Sequence, residues 1–444
     1  MTDHTNRPSA ASAQDEVARI CSDLIRIDTS NYGDGSGPGE RKAAEYVMEQ
    51  LAEVGLEGTL YESAPGRATV ALRMDGADPT RPGLAVHGHL DVVPADPADW
   101  RVDPFAAEEL DGCIWGRGAV DMKGMDAMIL ANIRQLARTG TKPARPTTFV
   151  FFADEEAGGL QGSHWLVDRH PEWFEGVTEA VGEVGGFSVT LGSPAGSRRV
   201  YLLQTAEKGI AWLRLRARGR AGHGSMPNQD NAITHLVEAM GRIAAHPWPI
   251  EYIGPVRALL EGLSDITQVP WAPGPEPLVA ELGQQAGFVA ATLRNTTNLT
   301  MLSAGYKHNV IPQTATAALD CRFLPGHEES VMDTIRRLAG EHVEVEVVHR
   351  DIALEAPWES DIVDAMSRSL QRADPEADVL PYCLSGGSDA KALARLGISG
   401  YGFAPLRLPP DLDFAPMFHG IDERVPLDAL RFGTRVLGDF LRTC

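Results

Sequence analysis

Apolar positions along the chain shift between helical spacing, short unbroken runs and strict alternation, and each pattern predicts a different element. Val17, Ile20, Cys21, Leu24 and Ile25 recur at helical spacing and predict a helix over 15–27, with a second amphipathic helix over 40–54. Short strands are expected near 58–61 and 68–73. The run Gly83-Leu84-Ala85-Val86 and the run Thr147–Ala153 contain no polar gap, as strands covered on both faces require. Between them a helix of good formers extends from Gly124 to about Arg138. A further αβ unit ends at Ala180–Gly186, and the alternation of strands and helices through Gln204 predicts a largely parallel, doubly covered sheet.

Near Thr205 the period changes. Ile210–Ala217 alternates apolar with polar residues, as a half-exposed antiparallel strand does. A helix over 231–245 follows, then a Pro-rich stretch over 247–277, strands near 297–303 and 314–323, a helix near 330–339 and a strand near 343–348. The order β-α-β-β-α-β predicts a small α+β sandwich inserted into the larger α/β domain. From about Trp358 the first domain resumes, with a helix over 360–372, the loop Leu384–Ala390 and a last helix over 426–441. The expected division is a domain built from 1–204 and 353–444, with 205–352 as the insert.

Composition narrows the class. At 444 residues the chain exceeds one ordinary core, and 43% hydrophobic with 23% charged residues is the balance of a folded protein. The net charge, 40 − 61 = −21, disfavours nucleic acid and anionic membrane surfaces as partners, but leaves an anionic small-molecule substrate open. Five cysteines, odd in number and without a CxxC pair, fit free thiols in a reducing compartment. The polar tail Met1–Gln14 lacks the apolar stretch of a signal peptide, and no run reaches membrane-spanning length. A cytoplasmic location is expected.

Acids and histidines sit where the predicted strands end, which is where open α/β sheets keep their sites. In His87-Gly88-His89-Leu90-Asp91, His89 can bind a metal through one ring nitrogen while Asp91 accepts a hydrogen bond from the other. Asp121 stands before a helix, as a cap or a ligand. Glu155 and Glu156 end a fully apolar strand, a costly place unless something positive compensates them. Glu183 ends another strand, and His419 lies in a late loop. His89, Asp121, Glu156, Glu183 and His419 are thus five candidate ligands. Such a mixed set suits zinc, and a two-metal site needs a carboxylate able to bridge. Gly386 and Gly387 precede a helix start at Ser388-Asp389, where free backbone N–H groups can receive a carboxylate.

The segments HGHLDVVP (87–94), WGRGAVDMKG (115–124), ADEEAGG (153–159), EVGG (183–186), GHGSMP (222–227), HNVIP (308–312), DCRFLPG (320–326), SGGSDA (385–390) and FHGIDERV (418–425) follow one another as in the M20 metallopeptidase family. The sequence resembles that family, which contains aminoacylases, deacetylases, desuccinylases and carboxypeptidases, from about residue 15 to 441. The resemblance implies a zinc-exopeptidase-type domain with an inserted lid and dimerisation domain. It further implies that Asp121 bridges two zinc ions, with His89 and Glu183 completing one site and Glu156 and His419 the other. Cobalt or manganese remain open as the metal. By the same likeness Glu155 is the general base, Asp91 supports His89, and the Asp121-Met122 peptide is cis. His223 would stabilise the developing oxyanion, reaching across a homodimer interface, and Asn309 would approach the same oxygen. Arg322 occupies the position that holds a substrate carboxylate, while His87 matches no ligand position and reads as structural.

The expected activity is hydrolysis of an amide whose amine side carries a free α-carboxylate, in small peptides or N-acyl-L-amino acids. A narrow biosynthetic deacylase of the acetylornithine or succinyl-diaminopimelate kind is the second reading. A silent binding protein on the same scaffold is a third, disfavoured because the five ligands and Glu155 are all present.

Overall fold

The structure is a computed structural model that describes residues 12–193, 196–283 and 286–444. The part of the polar tail before residue 12 lies outside the described residues. A large mixed sheet forms the centre, and its middle is parallel. Strand Gly83–His89 lies between Thr147–Phe152 and Val177–Gly182, and Ser399–Gly402 pairs in parallel on the far side of the latter. Both the Gly83–His89 and Thr147–Phe152 strands are buried along their whole length, which is what their unbroken apolar runs require. Antiparallel strands Thr59–Ala64 and Arg67–Met74 extend one edge.

Helices cover the sheet. Ala13–Ile25 begins with a capping box between Ser12 and Asp15 and packs with Lys123–Thr139 and the last helix, Leu427–Thr443. Lys123–Thr139 is buried on almost every side, so its apolar residues run all round instead of in one stripe. Gly88 faces this helix. A Cβ built there would come within 2.1 Å of Asp126 Oδ1, so the close strand-to-helix approach accounts for a glycine between the two histidines.

Two elements depart from the sequence reading. Phe187–Ser193 and Gly196–Glu207 form an antiparallel pair, where the pattern predicted a continuation of the parallel alternation. The second strand carries the sheet outward, pairing in parallel with Asp378–Leu384. The Pro-rich stretch contains a helix, Gly254–Thr267, whose Val256, Leu259, Leu260 and Leu263 join the large core. Pro255 falls in its first turn, where a missing N–H costs nothing.

A second, four-stranded antiparallel sheet has the order Thr296–Ala304, Thr314–Phe323, Gly209–Arg218, Val343–Asp351. Helices Ala232–Ala244 and Glu328–Ala339 cover one face and close a separate core around Leu213, Leu215, Leu319 and Ile335. The other face is left open. The chain passes between the sheets at Glu207–Gly209 and at Ile352–Leu354. Lys391 is buried beside both crossings, its Nζ donating to the carbonyls of Lys208 at 2.7 Å and Ile352 at 2.6 Å. All five cysteines are free, four buried and Cys113 half-buried. Among the described residues no helix is long and apolar enough to cross a membrane.

Candidate metal centre and active site

His89 is the last residue of its strand and is buried. Its Nδ1 lies 3.0 Å from the carbonyl oxygen of Asp91 and 3.5 Å from Asp91 Oδ1, so the support expected from Asp91 comes more closely from its backbone than from its carboxylate. That carboxylate is instead held by neighbours. It accepts from the backbone N–H groups of Glu155 and Glu156, each at 3.1 Å, and from Asn31 Nδ2 at 2.9 Å. Asp91 therefore fixes two things together, the ring of His89 and the turn that carries both glutamates.

That turn, Glu155–Ala157, follows Asp154, whose φ of 66° reverses the chain directly after the Thr147–Phe152 strand. Glu183 follows the Val177–Gly182 strand in the same way. Asp121 lies just ahead of the Lys123–Thr139 helix, and its peptide bond to Met122 is cis, as the resemblance implies. His419, with φ 58°, projects from a loop near the C-terminus and is 58% exposed at its side chain.

The two oxygens of Asp121 face two different histidines. Oδ1 is 3.2 Å from His89 Nε2, and Oδ2 is 3.3 Å from His419 Nε2. Glu183 Oε2 stands 3.5 Å from His89 Nε2, and Glu156 Oε2 stands 3.1 Å from His419 Nε2. Glu155 is further out, its Oε2 3.9 Å from His89 Nε2. Ligand atoms of His89, Asp121 and Glu156 all lie within 4.8 Å of one another, as do those of His89, Glu155 and Glu183.

The donor set fits cations. Two atoms bound tetrahedrally to one zinc at 2.0–2.2 Å are about 3.4 Å apart, the spacing seen here. Glu156 Oε1 is buried without a hydrogen-bond partner, which leaves a charged oxygen in need of a positive group. Burial raises Glu155 well above the ordinary glutamate range, with Glu183 and Glu156 pushing the same way, and it raises Glu183 to about 8. Burial also opposes ionisation of Asp121, but the hydrogen bonds from His419 and His89 outweigh it and hold that carboxyl low. Carboxylates that repel one another in a buried site gain from a cation between them.

Above the cluster is a cavity of about 320 Å³, bordered by Asp121, Glu155, Glu183 and His419 from the large sheet and by Trp212 and Arg322 from the small one. Gly386 and Gly387 also line it. Arg322 is held by Asp320, with Nε donating to Oδ1 at 2.7 Å and Nη2 to Oδ2 at 3.1 Å. His223 and Asn309 do not border this cavity. His223 is exposed on the small pairing Gly222–His223 with Val310–Ile311, its Nδ1 2.8 Å from Ser225 Oγ. His87 is buried against Phe152, and burial lowers its imidazole to about 3, in keeping with a structural residue.

The family model "Peptidase family M20/M25/M40" matches residues 85–443. The chain belongs to that family. Among curated M20 relatives, the N-fatty-acyl-amino acid synthase/hydrolase PM20D1 of Xenopus tropicalis is 29% identical over 91% of this chain and 81% of that protein. Aminoacylase-1 of Sus scrofa is 28% identical over 86% of this chain and 85% of its own. Among solved structures, the M20 family metallo-carboxypeptidase Sso-CP2 from Sulfolobus solfataricus superposes with a TM-score of 0.73 at 18% identity, covering 97% of this chain and 99% of that one. M20 membership makes the chain a hydrolase of a metal-dependent family, and the shared fold is the α/β zinc-exopeptidase type.

Two buried acids of the M20 site were not singled out from the sequence. Glu423, fully buried, accepts from the backbone N–H groups of Gly118, Val120 and Asp121 at 3.0, 2.7 and 3.0 Å. It also pairs with Arg117 Nη1 at 2.7 Å. Asp389, in the SGGSDA segment, is buried at the cavity wall with Oδ1 unpartnered and raised to about 7 by burial. Both lie in quoted segments, but nothing in residue type or spacing marks Glu423 as a side chain that binds backbone or Asp389 as one turned into a cavity wall. Glu423→Ala strips the Asp121 loop of its acceptor and leaves Arg117 buried without its carboxylate. The expected cost is about 3–5 kcal/mol of stability and about a 10- to 100-fold loss of metal affinity. Denaturant unfolding and metal titration read the two effects.

Proposed function

We propose that this chain is a dizinc amidohydrolase cleaving N-acyl-L-amino acids or small peptides whose amine side carries a free α-carboxylate. The observation that carries the reading is Asp121, whose two carboxylate oxygens face His89 and His419 separately. His89, Asp121 and Glu183 would hold one zinc, and Asp121, Glu156 and His419 the other. The names of the M20 relatives, an acyl-amino-acid hydrolase and an aminoacylase, support this substrate class.

When bound, the ions supply Lewis acidity toward the scissile carbonyl and lower the proton affinity of the attacking water. Glu155, further from His89 than Asp121 and Glu183 are, takes the proton from that water and returns it to the leaving amine nitrogen. Asp91 holds the turn that aims Glu155. Arg322 and the N–H groups at Gly386 and Gly387 receive the α-carboxylate, a planar guanidinium suiting a planar anion.

In this reading the four-stranded sheet and its two helices, within segment 205–352, act as a lid on the catalytic domain built from 1–204 and 353–444, while the Gly254–Thr267 helix of the same segment stays packed in the large core. His223 and Asn309, away from the cavity of their own chain, would serve the cavity of a second copy in a homodimer. Exposed Ile233 and Val237 on the Ala232–Ala244 helix supply apolar surface for such a pairing. Five free thiols support a cytoplasmic location.

The test is a side-by-side assay of zinc-analysed protein against N-acetyl amino acids and dipeptides. Hydrolysis of either class, lost on chelation and restored by zinc, is expected. A protein that carries two zinc ions and cleaves neither class refutes the proposal.

A further inference from the structure

The open face of the four-stranded sheet is organised in rows by its register. Nearest the metal cluster, Ile210 lies between Arg322 and Asp351. The next row sets Trp212 between Asp320 and His349, and beyond it Arg214 and Met301 flank Ala318. Cross-strand neighbours on one face are about 4.5–5.5 Å apart, so the rows form one continuous surface. At about 3.3 Å per residue, it runs about 13 Å from Arg322 to Ala318.

This surface is apolar where it is most exposed. Trp212 is 42% exposed, Val348 53% and Met301 72%, unusual for residues of that size on a face turned away from the core. They border a second cavity of about 380 Å³ that meets the catalytic cavity at Trp212, which lines both. The Trp212 ring packs on His349 at 4.9 Å between centroids, which fixes its position in the wall. The charges bordering this second cavity are already paired, Asp320 with Arg322 and Arg214 with Glu346 at 3.1 Å. No unpaired charge among its described lining residues is left to read a charged side chain.

We infer that Trp212 is the specificity-determining residue for the amine side of the substrate, and that the trough beyond it takes a large apolar side chain such as phenylalanine or leucine. The inference rests on the proposed placing of the α-carboxylate at Arg322. From there the side chain of the same residue reaches the neighbouring row, where Trp212 stands. The trough adjoins the catalytic cavity at Trp212, the one lining residue the two share, and that adjacency names substrate as its occupant, in preference to a second copy of the chain.

The amine-side residue is common to N-acyl amino acids and dipeptides, so the experiment does not depend on which class is cleaved. kcat/KM is measured for substrates ending in phenylalanine and in alanine, with binding of free L-phenylalanine and L-alanine followed by calorimetry. Wild-type protein favours phenylalanine by about tenfold or more, the scale of a few buried methylene groups. Trp212→Ala lowers the phenylalanine-to-alanine ratio to near one, chiefly through KM, and Trp212→Phe restores most of it. A ratio near one in the wild type, or a ratio unmoved in Trp212→Ala, overturns the assignment. Met301→Asp separates the competing occupant: if it splits a dimer and leaves the ratio unchanged, the face belongs to a second copy and the inference fails. Should wild-type protein with both metals cleave neither class while still binding L-phenylalanine over L-alanine in a Trp212-dependent way, the catalytic reading falls and this one stands.

Discussion

Glu155→Gln retains two metal ions per chain and loses turnover by about 10²- to 10⁴-fold, the range expected when a positioned general base is removed. The geometry separates the two effects. Glu155 Oε2 is 3.9 Å from His89 Nε2, against 3.2 Å for Asp121 and 3.5 Å for Glu183, so the closer oxygens hold the cation without it. Its backbone N–H, which the substitution keeps, still bonds Asp91 Oδ1 at 3.1 Å and keeps the turn in place. The loss therefore falls on kcat, with KM within a few-fold of wild type. Metal analysis alongside steady-state kinetics reads both quantities, and a variant with normal turnover removes Glu155 from the mechanism.

Asp121→Ala has the opposite signature. It removes the carboxylate that alone among the described residues faces both histidines, and what remains is two incomplete half-sites, His89 with Glu183 and His419 with Glu156. Metal content falls from two ions toward none, and activity goes with it. Retention of two ions by the folded variant, checked by elemental analysis and circular dichroism, contradicts the shared-ligand arrangement. In Glu155→Gln activity disappears with metal present, whereas in Asp121→Ala it disappears because metal does. The pair of variants thus divides proton transfer from ion binding.

The candidate ligands were legible because burial makes them conspicuous. Acids closing the wholly buried Thr147–Phe152 strand have no inexpensive surface explanation, and the structure places Glu155 and Glu156 near His89, Asp121 and His419. The parallel middle of the sheet was legible for the same reason. Less visible was anything decided by backbone contact. Glu423 and Asn31 act through N–H groups and a neighbouring carboxylate, and a sequence gives no spacing for such contacts. The Gly196–Glu207 strand carries the apolar run of a central strand, yet it pairs antiparallel with Phe187–Ser193, since a run reports burial and not direction. The helix at Gly254–Thr267 was hidden by Pro255, which reads as a breaker although it sits in a first turn.

The way the chain crosses between its sheets sets which parts of the smaller one can travel. The crossings at Glu207–Gly209 and Ile352–Leu354 are tied to the single ammonium of Lys391, the 250–293 excursion into the large core returns to the smaller sheet at Thr296, and Arg322 is paired with both Ile210 and Thr296. In any swing of the smaller sheet about these attachments, displacement grows with distance from them, so Arg322 shifts less than the far end, where Arg218 pairs with Thr314 and Ala304 with Ala315. The α-carboxylate contact proposed for Arg322 thus lies at the least mobile end of the smaller sheet.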